Sequence, residues 1–402
     1  MQGQISTKRR NRRAKADNGY VSHNKIQLVR GGRPYFDQLL GLIREAEYTI
    51  MLQVYIFDDD ETGREVAAAL REAAGRKVEV YLMADGYASQ GLTKRFIREL
   101  EDAGVHFRFF EPLFRSRHSY FGRRLHHKVV VVDNHFAMVG GINIANHYND
   151  VLEQPGWLDF AVRVEGTIVK ELCRICQNLW HGYFPDEKIS RCRDHHPTLH
   201  IPQDEDCQLR VRRNDWITKK NQISKSYIEM LRKADQEILM MSGYFLPGPV
   251  MRRNMKKASR RGVKIRLVLA GISDVMVAKN AERFMYHWLF KNQIEVYEYK
   301  PCVLHGKLAV YDRVWATVGS YNLNIISAYA SIELNIDINN AGFASGLQDC
   351  LEQIISRDCE QITRESFIHR RGVFLRVWDR ICYGFIRFLF YLFTFSFKQR
   401  DN

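Results

Sequence analysis

The sequence predicts an α/β protein built as two pseudo-twofold-related sandwich halves with one active site at their interface. Three observations predict it. One pattern occurs twice: His126-His127-Lys128, four valines, Asp133, six residues, then Gly140-Gly141-Ile142-Asn143; and His305-Gly306-Lys307, four residues, Asp312, six residues, then Gly319-Ser320-Tyr321-Asn322. The flanking elements recur in the same order, with the motif histidines 179 residues apart. Neither copy alone holds both a nucleophile and an acid, so the halves are expected to face one another.

The elements follow from periodicity. Phe36, Leu39, Leu40 and Ile43 fall on one helical face and precede a strand over 49–57. A helix over 64–74, a strand over 78–83, a helix over 92–100 and a strand over 105–110 lead to the first motif strand. The second half repeats this. Ile223, Tyr227, Ile228 and Leu231 mark a helix before a strand over 237–245. Then come a helix over 250–260, a strand over 263–269, one helix over 278–290 and a strand over 294–299. This alternation implies a largely parallel sheet in each half. The predicted organisation is a basic, disordered tail over 1–24, halves over 25–186 and 209–365, a linker over 187–208, and a C-terminal amphipathic helix over 366–402.

The motif spacing suits phosphate chemistry. In a strand, residues two apart share a face, so His126 is expected to project with Lys128 and His305 with Lys307. His127 is expected on the opposite face as packing. Two such edges would surround a tetrahedral phosphodiester with two imidazoles and two ammonium groups. One neutral histidine can attack phosphorus while the other, protonated, serves the leaving oxygen. Asn143 and Asn322 stand as substrate-binding or orienting groups. Asp133 and Asp312, part of the motif, are expected to hold turns rather than do chemistry. A lone His-x-Lys is usually a strand histidine satisfied by a neighbour; duplication with matching Gly and Asn reverses that judgement. His118, His135 and His147 have no spacing that recommends them. No metal or other cofactor is called for, because the lysines supply the charge.

These residues resemble the paired motifs of the phospholipase D superfamily, and their surroundings are most similar to bacterial cardiolipin synthases. The resemblance runs from about Asn24 to about Ser356. It includes Gln53-Val54-Tyr55-Ile56-Phe57 with Asp60 to Gly63, Trp157-Leu158-Asp159, Tyr244-Phe245-Leu246-Pro247, and Ser327 through Glu333. It implies two phospholipase D-like halves related by a pseudo-twofold axis. It also implies a phosphatidyl group carried on a histidine and passed to a glycerol hydroxyl of phosphatidylglycerol. Phosphatidylethanolamine is a further donor to consider. The family pattern makes His126 the attacker and His305 the acid, and puts orienting carboxylates at Asp159 and Glu333. Many members begin with two hydrophobic spans; their absence here points to a shorter, peripheral type on the cytoplasmic face of a bacterial inner membrane.

Composition bounds the alternatives. A formal net charge of +14 favours a polyanion, either nucleic acid or an anionic membrane surface. The C-terminus decides between them. Residues 373–397 are crowded with aromatic and aliphatic side chains, while Arg376, Arg380, Arg387 and Lys398 fall on one helical stripe. The longest uncharged stretch, 388–397, is shorter than the ~20 residues a span requires. A helix lying in the membrane interface fits, with a helix docked on the core as the alternative. This argues against the nuclease activity that the same superfamily also hosts. A phospholipase D-type hydrolase and a non-catalytic membrane scaffold are the remaining alternatives, and two intact motifs weigh against the scaffold. The loop 111–124 sets Phe114, Tyr120 and Phe121 among Arg115, Arg117, Arg123 and Arg124, and is expected to rim the pocket. The eight cysteines form no zinc pattern. Cys173 and Cys176 lack a second pair, and Cys192 with His195, His196 and His200 reads as a surface loop; free thiols are expected.

Overall fold

The valine run of the first motif shows how the sheets are built. Val129 and Val131 face one core and Val130 and Val132 another. A strand buried on both faces reads as a continuous apolar run because its alternate side chains enter two different interiors. The computed structural model describes residues 19–112, 123–151, 155–182, 201–203, 205–324, 327 and 331–398, with side chains to 389. Residues 1–18, the rim residues Phe114, Arg115, Arg117, His118, Tyr120 and Phe121, and the linker residues Cys192, His195, His196 and His200 lie outside them.

The first half comprises β1 (Asn24–Arg30), α1 (Arg33–Glu45), β2 (Thr49–Val54), α2 (Glu61–Gly75), β3 (Glu79–Asp85), α3 (Lys94–Asp102), β4 (His106–Phe110), β5 (Arg124–Leu125), β6 (Lys128–Val132), β7 (Phe136–Gly140), β8 (Phe160–Gly166) and α4 (Thr167–His181). The second comprises β9 (Gln208–Asp215), β10 (Lys220–Asn221), α5 (Gln222–Lys233), β11 (Glu237–Ser242), α6 (Pro249–Arg260), β12 (Lys264–Ile272), α7 (Met276–Phe284), α8 (Tyr286–Lys291), β13 (Glu295–Val303), β14 (Lys307–Tyr311), β15 (Trp315–Gly319), β16 (Ser331–Asn339), α9 (Ala341–Asp358) and β17 (Cys359–Ile362). Then follow α10 (Arg364–Arg370) and α11 (Val373–Lys398). The single helix expected over 278–290 is two, broken at Met285.

The sheets are mixed, which corrects the largely parallel expectation. Order in the first is β1-β8-β7-β6-β2-β3-β4, and in the second β10-β9-β16-β15-β14-β11-β12-β13-β17. Within each half's sheet, the parallel strand pairs are β2-β3-β4 and β11-β12-β13, where helices make the crossovers. The motif strands instead enter tight hairpins. Asp133 and Asn134 have φ of 52° and 54°, and Asp312 and Arg313 have 48° and 55°. Left-handed backbone at both central residues is the two-residue turn that forces its flanking strands antiparallel.

The inner faces of both sheets, with α4 and α9, share one core containing Val129, Val131, Met241, Leu308 and Leu351. Each half has its own outer core under its helices, around Phe36, Leu52 and Val66 or Tyr227, Leu267 and Leu289. Burying one such side chain is worth about 2 kcal/mol. The shared core therefore fixes the halves against each other. The chain also crosses between them: β5 pairs in parallel with β16, and Leu158 bridges in parallel to Leu304.

One face of α11 docks on the protein. Asp379 and Cys382 are buried against α7, with the Tyr383 ring tilted against Phe284 at 4.7 Å. Arg371 closes the start by donating to Asp379 Oδ1 at 2.6 Å. Among its described side chains, Val373, Phe374, Leu375, Val377, Trp378, Ile381, Phe385 and Phe388 are exposed, Phe374 at 92%. No helix among the described residues is long and apolar enough to cross a membrane. Six cysteines, among them Cys176, Cys207 and Cys382, are free thiols, but Cys173 is disulfide-bonded, against the expectation of free thiols throughout.

Candidate active site

The two aspartates that close the motifs do the same structural work. Asp133 accepts from the backbone N–H of Glu47, Tyr48 and Thr49 at 2.7–2.9 Å. Asp312 accepts from Asp235, Gln236 and Glu237 at 2.7–3.0 Å. Each clamps the start of the neighbouring strand, β2 or β11, and so fixes the register of the motif strand beside it. These carboxylates stand at the far end of the motif strand from its histidine.

The histidines lie just ahead of regular strand, which corrects their placement within it, although His126 and Lys128 still meet the same Tyr55 ring. β6 begins at Lys128 and β14 at Lys307. His126 leaves the first sheet because its N–H donates to Ile332 O of the other half at 3.0 Å. His305 and Gly306 likewise donate to Leu158 O at 2.8 and 2.9 Å. The lysines fold back: Lys128 Nζ donates to His126 O at 2.6 Å, and Lys307 Nζ donates to His305 O. His127 is fully buried and pairs with Gln53 Oε1 at 2.8 Å. By register, Gln53 corresponds to Met241 and His127 to Gly306, whose Cβ would sit 2.6 Å from Met241 Sδ. The middle term of the motif varies because it packs against a different strand neighbour in each half.

The orienting acids are exchanged between halves. His126 Nδ1 meets Glu333 Oε2 at 3.0 Å, and His305 Nδ1 meets Asp159 Oδ2 at 2.6 Å. A carboxylate on Nδ1 holds the proton there and leaves Nε2 to act. Both carboxylates are buried completely. Ser320 Oγ donates to Glu333 Oε2 at 2.5 Å. Its counterpart Gly141 has no room for a side chain, since a Cβ would lie 2.5 Å from both Asp159 oxygens.

Around each imidazole the walls differ. Tyr55 lies 4.8 Å from His126, ring to ring, and Lys128 Nζ stands 5.0 Å over the Tyr55 face. The strand position matching Tyr55 is Gly243, where a Cβ would come 2.9 Å from Leu304 O. His305 is instead enclosed by Tyr148, Trp157 and Tyr244, at 5.2, 5.8 and 6.4 Å between rings. Asn143 supports this wall. Its Oδ1 accepts from Ile56 N at 3.0 Å and its Nδ2 donates to the Tyr148 oxygen at 2.8 Å, leaving that hydroxyl 3.5 Å from His305 Nε2. Asn322 is buried with its Oδ1 unpartnered among the described residues. Tyr244 Oη donates to Asp274 Oδ1 at 2.5 Å. Of the predicted rim, Arg123 pairs with Asp215 at 3.0 Å, and Arg124 lies 3.7 Å from Asp85 and 5.1 Å over the Tyr87 ring. His135 pairs with Glu165, and His147 stacks 4.3 Å from Trp157 near His305. Tyr148 and Asp274 carry no spacing signal; Trp157 could have been flagged by its place two residues before Asp159.

Burial governs the electrostatics. It pushes Lys128 down to about 7 and Lys307 down to about 8, with Lys307 depressing Lys128 further and both lysines depressing the histidines. It lowers His126, an effect Glu333 partly offsets, and holds His305 well below its usual range with both lysines adding to the effect. Asp159 is raised to about 6 by the same burial, moderated by Lys307. Two lysines and two histidines thus share a dry site with two carboxylates. A bound anion would restore the lysine charges, which is what a phosphodiester supplies. Among the described residues no cluster of His, Cys, Asp and Glu could hold a metal ion.

A family model described as "Cardiolipin synthase, PLD-like domain" matches residues 39–155 and 227–355, spans that contain both motifs. The chain belongs to this family. Cardiolipin synthase B of Shigella flexneri is 35% identical over 354 residues, covering 87% of this chain and 84% of that protein. The major cardiolipin synthase of Bacillus subtilis strain 168 is 27% identical over 355 residues, covering 73% of its length. In fold this cardiolipin synthase-like chain is similar to phosphatidylserine synthase of Haemophilus influenzae Rd KW20. The TM-score is 0.70 at 12% identity, over 90% of this chain and 93% of the other.

Proposed function

We infer that the protein is a phosphatidyltransferase of the cardiolipin synthase type, with one active site shared by halves over 25–186 and 209–365. The observation that carries this reading is the exchange of acids: each motif histidine is oriented by a carboxylate of the opposite half. One histidine attacks the phosphorus of phosphatidylglycerol through Nε2, and the P–O bond to the headgroup breaks. The other histidine gives its proton to the departing glycerol oxygen. A glycerol hydroxyl of a second phosphatidylglycerol then attacks the phosphatidyl-histidine and returns its proton to that same histidine, forming cardiolipin and freeing the nucleophile. Lys128 and Lys307 hold the non-bridging oxygens, assisted by Asn322, while Asn143 orients the wall beside His305. Phosphatidylethanolamine can enter the same scheme as donor, with ethanolamine as the alcohol released. The exposed apolar face of α11 supports peripheral binding to an anionic membrane, here assigned to the cytoplasmic face of the bacterial inner membrane.

The family pattern assigns attack to His126. A second assignment has its own support: His305 is the more firmly neutral ring, whereas Glu333 favours a proton on His126. Trapping decides between them. Labelled phosphatidylglycerol should leave an acid-labile adduct on the 126 peptide of His305→Asn under the first assignment, and on the 305 peptide of His126→Asn under the second. The function itself is tested by incubating the pure protein with phosphatidylglycerol vesicles and analysing the lipids. Cardiolipin supports the reading; phosphatidic acid alone would make the protein a hydrolase, and no product would sink both.

A further inference from the structure

We propose that the loop between β12 and α7 is a second membrane-contact element, one that seats the mouth of the cleft against an anionic phospholipid bilayer. The proposal rests on the membrane reading of α11 and deepens it. Ile272, Val275, Met276 and Val277 are 49%, 46%, 59% and 39% exposed. Ile272 closes β12, Val275 lies in the connection, and Met276 and Val277 open α7. Four of six successive residues thus present apolar side chains at the surface, and exposed apolar surface of this kind marks an interaction site. The repeat does not demand them. In the first half the chain after β3 turns inward, where Asp85 caps the N–H groups of Tyr87 and Ala88, and Ser89 and Leu92 are buried.

The loop reaches the site through one side chain. Asp274, inside it, accepts from Tyr244 Oη at 2.5 Å, and the Tyr244 ring stands edge-on to His305. It is also tied to the C-terminal helix. Met276 and Val277 open α7, and α11 packs on α7 in a small core of Leu246, Ala281, Met285 and Cys382. Leu246 lies two residues beyond Tyr244. Cleft wall, apolar loop and the helix bearing exposed Phe374, Trp378 and Phe385 are therefore one packed unit.

Charge identifies the occupant. Where α7 meets α11, a cavity of about 270 Å³ is lined by Arg283, His287, Arg376 and Arg380, with Phe284 and Val377 at its apolar side. Its acidic neighbour, Asp379, is already paired with Arg371. Guanidinium groups beside exposed apolar side chains fit phosphate headgroups above acyl chains. A lipid held there would sit on α7, the helix that follows Asp274, the partner of Tyr244.

The test uses the full chain with Val275→Ser, Met276→Ser and Val277→Ser combined, leaving Asp274 in place. A second variant carries Phe374→Ser, Trp378→Ser and Phe385→Ser. Each is assayed on monomeric short-chain phosphatidylglycerol and on long-chain phosphatidylglycerol vesicles, with vesicle flotation alongside. The loop variant is expected to keep its rate on the monomeric lipid and to lose ~10-fold or more in both vesicle binding and vesicle turnover. Wild-type behaviour on vesicles, with only the helix variant impaired, would overturn the loop and leave the membrane reading intact. Equal losses on both substrates would also overturn it, making the loop part of the cleft's own framework. If sedimentation shows self-association that the loop variant abolishes without changing vesicle binding, the surface joins two copies instead. A wild-type protein that does not float with anionic vesicles would defeat the membrane reading itself.

Discussion

In the first half, His126 packs on one tyrosine and shares its carboxylate, Glu333, with Ser320. In the second, His305 is enclosed by three aromatic rings, and its carboxylate, Asp159, presses against Gly141. Everything that sets backbone position is duplicated: the aspartate clamps, the left-handed hairpin turns, and the histidine N–H donated across the interface. The surroundings of the imidazoles are not. Duplication thus supplies two copies of one frame, and unequal walls lower the two histidines to different degrees, His305 further than His126.

The comparison breaks most sharply at the histidines. His126→Ala and His305→Ala are each expected to lower transfer by ~10³-fold or more, because each removes a group from both half-reactions. His127→Asn is expected to retain most activity and to lose about 1–2 kcal/mol of stability with its buried partner Gln53. Turnover alongside thermal melts measures both, and an inactive but well-folded His127 variant would contradict the packing role.

Next come the acids, where exchange makes an unusual prediction. Asp159→Asn should disturb the tautomer of His305 and not that of His126; Glu333→Gln should do the reverse. Each is expected to cost ~10²- to 10⁴-fold in rate, the range seen when a catalytic histidine loses its orienting carboxylate. Nitrogen NMR of the imidazoles reads the tautomers directly, and effects confined within each half would refute the exchange.

A smaller contrast concerns the residues facing those acids. Gly141→Ala forces a Cβ to within 2.5 Å of Asp159, in the completely buried surroundings of that carboxylate, and is expected to cost at least ~10-fold in rate together with stability. Ser320→Ala removes the hydrogen bond to Glu333, worth about 1–3 kcal/mol, and the one Ser320 Oγ accepts from Leu334 N at 3.1 Å, but clashes with nothing. Equal effects on turnover and melting temperature would mean that the two acids are held alike.

The gentlest test is pH. Burial lowers Lys128 to about 7 and Lys307 to about 8, and a bound phosphodiester is expected to raise both. Binding near neutral pH should therefore take up protons, and affinity should fall as pH rises through this window. Calorimetry of a phosphodiester in buffers of different ionisation enthalpy measures the uptake; none would show that the lysines are already charged. The stability term has the opposite sense. From about 7 up to their ordinary value of 10.5 the unfolded chain binds more protons than the native one, so these lysines make the protein more stable as pH rises.

The sequence by itself determined the repeat, the strand–helix order, the motif histidines and lysines, and the turn-holding aspartates. These are legible because strand periodicity, turn chemistry and a fixed motif spacing are local. Asp159 and Glu333 were reachable only through family resemblance, and nothing in the sequence indicated that each serves the other half. That depends on β5 pairing with β16 and on Leu158 pairing with Leu304, contacts between residues more than a hundred positions apart. The mixed sheets and the wall of Tyr148, Trp157 and Tyr244 around His305 were likewise decided by tertiary structure. So was the docking of one face of α11, because helical periodicity shows that a face is apolar but not what covers it. Local patterns specify which groups a chain can offer; the dry core between the two sheets decides which of them meet, and at what protonation state.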